Sequence, residues 1–147
     1  MHGLLAVALL GAITHQAASM LWPATRPAGS FSGRFRSVAA PGYANAVVIL
    51  YLVTALLGAI VYAEYRVSVR IVLEELQMRA ANGSFELKEH LTTIGLGLLP
   101  VYWYLWKNVR NAAYTSARKW LTVVLAAICW YAFLTGHVLN NVRGFGS

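Results

Sequence analysis

Four histidines, at positions 2, 15, 90 and 137, stand in a chain with few other polar groups inside its apolar stretches. Imidazole is the commonest metal ligand and a frequent haem ligand, so their placement sets what chemistry is open here. His90 opens the run HLTTIGLGLLPVYWYLW, and His137 lies near the end of a later apolar run, in TGHVLNN. If successive apolar runs alternate in direction, both lie about 6–9 Å inside the same end. Two imidazoles at one depth can supply both axial ligands of a b-type haem between helices. Gly95, Gly97 and Gly136 leave flat space beside such a pair. Glu86, one helical turn from His90, can orient it, and Arg143 and Lys88 are placed to meet propionates. His2 belongs to the same end, so His2, His90 and His137 could instead hold copper or iron. A plainer reading stays open, in which both are polar residues near the headgroups.

His15 differs. It lies thirteen residues beyond His2, about 20 Å deeper along a helix, and no second histidine shares its depth. Thr14-His15-Gln16 is the most polar point within any apolar run. It could bond a quinone carbonyl, ligate a haem shared with another subunit, or hydrogen-bond to a neighbouring helix. Bonding to a neighbouring helix is the expectation.

The elements that must position these residues follow from composition. Hydrophobic residues make up 59% of the 147-residue chain and charged ones 12%, with a mean hydropathy of +0.56. A soluble domain of this length could not bury that much apolar surface, so the expected class is an all-α integral membrane protein. Four stretches with few or no charges, about 3–22, 44–63, 90–106 and 119–141, each approach the roughly 20 residues a bilayer span needs. They predict four transmembrane helices in an up-down bundle, forming one membrane domain over residues 1–147.

Local signals refine this picture. Trp22-Pro23 ends the first helix. After the second span, Val69, Val72, Leu73 and Leu76 recur at helical spacing against Arg70, Glu74, Glu75 and Arg79, which predicts an amphipathic extension. Asn82-Gly83 is expected to end it, with Ser84 capping the next helix and Glu86 in that helix's first turn. Pro100 removes a backbone donor from the third span. Tyr102, Trp103, Tyr104 and Trp106 beside Lys107 read as an interfacial aromatic belt, with Trp22 and Trp120 at the same level.

The net charge of +7 is distributed against a nucleic-acid role. Alternating spans place Arg26, Arg34, Arg36, Lys107, Arg110, Arg118 and Lys119 at one end, without an acid. Arg66, Arg70, Arg79, Lys88 and Arg143 share the other with Glu64, Glu74, Glu75, Glu86 and Glu89. The acid-free end is therefore expected to be cytoplasmic, both termini extracytoplasmic, and the membrane the bacterial inner membrane. The N-terminal run lacks the basic region of a signal peptide, so a retained first span is expected. Cys129, the single cysteine, lies inside the fourth span and reads as a small buried apolar residue. No phosphate-binding glycine loop, nucleophile triad or metalloprotease helix occurs in the sequence.

His90 in KEHLTTIGLGLLP, His137 in TGHVLNN and His15 in ITHQ give the chain a layout that resembles the small four-helix b-type cytochromes. That group includes membrane-anchor subunits of respiratory oxidoreductases. The resemblance implies axial histidines, haem b and an electron-transfer subunit of a larger respiratory or redox complex. Quinone or an extracytoplasmic redox protein would then be its exchange partner. The rival expectation is a cofactor-free accessory or assembly subunit of a membrane complex, with the 64–82 segment docked on a partner.

Overall fold

The computed structural model describes residues 1–22, 31 and 41–144. Every element among them is helical. Helix α1, His2–Leu21, is a run of Leu, Ala, Val and Ile that stops at Trp22, whose backbone leaves the helix at φ −124° and ψ 79°. Pro23 follows, and the residue before a proline is driven out of helical conformation. Helix α2, Pro41–Glu64, opens on a proline, whose fixed φ suits the first helical position. The 23–43 connection, with Arg26, Arg34 and Arg36, falls mostly outside the described residues.

The expected amphipathic extension is present as a continuation of α2. One π-helical turn, Tyr65–Val69, leads directly into a short helix α3, Arg70–Glu75. The chain then reverses at Gln77, the one described non-glycine residue with a left-handed φ, 56°. Met78 donates its backbone N–H to Leu73 O at 2.8 Å, and Gln77 donates to Glu74 O at 3.0 Å. These two bonds and the packing of Met78 and Leu73 in one apolar cluster make a Schellman ending. The turn expected at Asn82-Gly83 is therefore five residues too late. Helix α4 begins at Arg79 and runs to Lys107, carrying Asn82, Gly83 and Ser84 inside it. The physical reason is tertiary: Tyr65 and Phe85 stack at 3.6 Å, and the hairpin closes around that stack rather than at the nearest glycine.

Asn108 ends α4, and a 3-10 turn, Ala112–Tyr114, leads into helix α5, Thr115–Gly144. Three segments are long and apolar enough to cross a membrane: His2–Leu21, Gly42–Glu75 and Ala112–Asn141. The apolar part of α4 mixes Thr92, Thr93, Pro100 and four Tyr and Trp residues, and by the same measure α4 does not join them.

The four long helices form a ring of neighbours: α1 packs on α2 and α5, and α4 packs on α2 and α5. Each contributes a stripe to one core, which holds Leu9, Ile13, Val47, Leu99, Leu125 and Cys129. Cys129 is buried, as its position in the sequence suggests. Large apolar side chains also cover the outside. Leu4 is 73% exposed, Leu56 and Ile60 65%, Ile94 54% and Val138 57%.

Candidate functional site

Helix phase decides where His90 points. The buried residues of α4 include Phe85, Gly95, Leu99, Tyr102 and Trp106. Five residues turn a helix once and about 140° further. His90, five after Phe85 and five before Gly95, therefore faces away from both. It is exposed, and its Nδ1–H donates to the Glu86 carbonyl of its own helix at 2.7 Å. Glu86 thus meets His90 through its backbone, while its carboxylate lies 3.4 Å from Arg70 Nη2. His137 is also exposed. Its ring stacks on Phe133, one turn earlier, with centroids 6.3 Å apart, and Asn141 Nδ2 lies 3.2 Å from its Nε2.

The glycines part company as well. Gly95 is filled against: a Cβ there would overlap the ring and hydroxyl of Tyr51, whose O–H donates to Thr92 O at 3.1 Å. Gly97 and Gly136 have open space beside them. The surroundings of Gly95 fit a tyrosine rather than a flat macrocycle, and the two imidazoles do not face one another across the interior. Both imidazoles are exposed, and each has contacts within its own helix. His2 packs against α2, with Cε1 3.4 Å from the Cβ position of Gly58, and it lies close enough to Lys88 and Glu89 of α4 to feel their charges. No group of three or more His, Cys, Asp or Glu side chains placed to hold a metal occurs among the described residues. Lys88 pairs with Glu89 at 2.8 Å and lies over the Phe85 ring at 4.0 Å. The side chain of Arg143 lies outside the described residues.

Both sequence neighbours of His15 make helix-to-helix bonds. Trp130 Nε1 donates to Thr14 Oγ1 at 2.9 Å, and Tyr102 donates its hydroxyl to Gln16 Oε1. His15 is half-buried and meets the Tyr43 ring edge-on at 6.2 Å. Tyr43 in turn donates to the Ala12 carbonyl at 3.0 Å.

A second polar set was not legible as a site in the sequence. Trp106 Nε1 donates to Thr122 Oγ1 at 3.2 Å, and Thr122 donates to the Arg118 carbonyl at 2.7 Å. The Arg118 guanidinium donates to Leu105 O at 3.3 Å and to Thr115 Oγ1 at 3.4 Å. Gln16, Arg118 and Thr122 are all buried. The aromatic run of α4 therefore splits: Tyr102 and Trp106 are interior residues, whereas Trp103 and Tyr104 remain exposed. Tyr102 and Trp106 thus leave the set of surface aromatics that the sequence grouped with Trp22 and Trp120. The signal that could have found the division is the spacing of Leu99, Tyr102 and Trp106, which share one helical stripe.

No family model, no curated protein and no solved structure matches the chain.

Proposed function

We propose that the chain is a multi-pass membrane subunit whose four long helices cross the bilayer up and down. It would serve as an accessory or assembly component of a larger membrane complex. The acid-free end, with Lys107, Arg110, Arg118 and Lys119, is cytoplasmic, and both termini lie on the other side. One observation carries this reading, the inverted distribution of polarity. Gln16, Thr122 and Arg118 are interior, while Leu4, Leu56, Ile60 and Val138 are more than half exposed. Lipid stabilises such an outer surface, and polar side chains inside it bond to each other.

The accessory role is favoured over electron transfer because the interior is filled by Tyr51, Tyr102 and Trp106, and His90 lies on the outward face of α4. The extension formed by the π turn and α3 offers the partner surface: Val67, Ile71, Val72 and Leu76 are between 48% and 65% exposed. Native electrophoresis of gently solubilised membranes tests this. The chain should migrate in an assembly far larger than its own 16.1 kDa, and Val72→Asp/Leu76→Asp should release it. A monomer in both cases rules out the accessory role.

The b-type haem reading has its own test, a dithionite-reduced minus oxidised visible spectrum of pure protein. Sharp b-type bands that disappear in both His90→Ala and His137→Ala would replace the accessory reading with electron transfer. A featureless spectrum from folded protein supports the filled interior.

A further inference from the structure

We propose that the connection between α4 and α5 binds the phosphate of an anionic phospholipid headgroup. Arg118 is only 6% exposed, and its hydrogen bonds among the described residues go to uncharged acceptors, Leu105 O and Thr115 Oγ1. A buried cation is strongly unfavourable without a counter-charge. All five carboxylate side chains of the protein fall within residues 64–89. Even Glu89 is 16 residues from Leu105 along α4, about 24 Å at 1.5 Å per residue. The carbonyls ending α4 bring a partial negative charge, and the face of Trp106 lies 5.6 Å from the guanidinium. Neither supplies a full counter-charge.

The neighbours increase the imbalance. Lys107 and Arg110 line an open concavity of about 670 Å³ together with Asn108, Val109 and Asn111. Asn111 Oδ1 accepts from Ala113 N at 3.0 Å, and Asn108 Nδ2 donates to Tyr104 O at 2.9 Å, so the turn is held in shape. Lys119 follows Arg118 directly. This end of the molecule therefore draws its negative charge from outside the chain. Lys107 and Arg110 meet the phosphate directly, and Arg118 contributes a fixed positive charge close by.

A lipid is the source that the surrounding aromatics favour. Trp103 and Trp120 are 44% and 58% exposed. The ammonium groups of Lys107 and Lys119 lie 5.3 Å and 5.6 Å from the centres of their rings. Exposed Trp beside Lys is the pattern of the headgroup layer. This assignment rests on the membrane reading and not on the accessory role.

The test is native mass spectrometry of the purified full chain in detergent with phosphatidylglycerol or phosphatidylcholine. Phosphatidylglycerol should be retained preferentially, by about fivefold for each contributing cation. Lys107→Gln/Arg110→Gln, which alters exposed positions, should bring its retention down to that of phosphatidylcholine. Arg118→Gln, with Lys107 and Arg110 intact, should lower that retention by about fivefold. Equal retention of the two lipids, or retention unchanged in the double variant, overturns the site. Complete displacement by millimolar inorganic phosphate overturns the lipid as its source. Release of the chain from membranes by alkaline carbonate would instead show that the membrane reading itself has failed.

Discussion

Tyr102 on α4 donates its hydroxyl proton to Gln16 Oε1 on α1, through the middle of the bundle. The two helices are not neighbours in the packing ring, so this bond ties opposite corners. Both side chains are fully buried. Tyr102→Phe leaves the Gln16 oxygen without its donor, and the expected loss is about 1 kcal/mol. Gln16→Leu combined with Tyr102→Phe should recover most of it, because a fully apolar pair leaves nothing unsatisfied. Denaturant titration in detergent micelles measures both, and a double variant as unstable as the single would refute the pairing.

Gly95 and Tyr51 make a second, steric couple. A methyl at position 95 meets the Tyr51 hydroxyl end, and overpacking of this kind destabilises by about 1–3 kcal/mol. Tyr51→Phe removes the obstructing oxygen and also the bond to Thr92 O. Gly95→Ala should therefore be markedly less harmful in a Tyr51→Phe background than alone. Strict additivity of the two losses in thermal melts would show that the ring does not occupy this space.

Gln77 holds a left-handed backbone with an ordinary side chain. Relief of that strain outweighs the extra chain entropy of glycine, so Gln77→Gly should stabilise the chain by about 0.5–1 kcal/mol. Asn82 and Gly83 lie inside α4, and Gly83→Ala should likewise stabilise, by up to about 1 kcal/mol. If the turn instead lay at Asn82-Gly83, the second substitution would destabilise, and melting curves separate the two cases.

Trp103 and Trp106 are three residues apart but differ in depth. Trp106 is 1% exposed and bonded to Thr122, whereas Trp103 is 44% exposed and bonded to Asn45. Trp106→Ala should cost about 3–5 kcal/mol, and Trp103→Ala about 1 kcal/mol. His90→Ala, on the outward face of the same helix, should change stability by no more than about 0.5 kcal/mol. Equal losses at the two tryptophans would put α4 in a different rotation, and with it His90.

The sequence by itself determined the helical class, the ends of α1 at Trp22 and α4 at Lys107, the extension after α2, and the division of charge between the two ends. Those features depend on local chemistry: a proline after Trp22, a break in hydropathy at Lys107, helical spacing after Glu64, and carboxylates confined to 64–89. Depth along a helix was only partly legible, since counting residues needs the helix end: α4 begins at Arg79, which puts His90 eleven residues, about 16 Å, inside it rather than 6–9 Å. Rotation was not. Whether a residue faces inward depends on which neighbours its helix meets, and in an apolar span the usual contrast between polar outside and apolar inside is missing. Only the tertiary structure turned His90 outward, set Tyr51 against Gly95, and drew Tyr102, Trp106 and Arg118 into the interior. It also moved the hairpin turn from Asn82-Gly83 to Gln77. There the stacking of Tyr65 on Phe85 and the closure of Met78 on Leu73 outweigh the local preference of glycine for a turn.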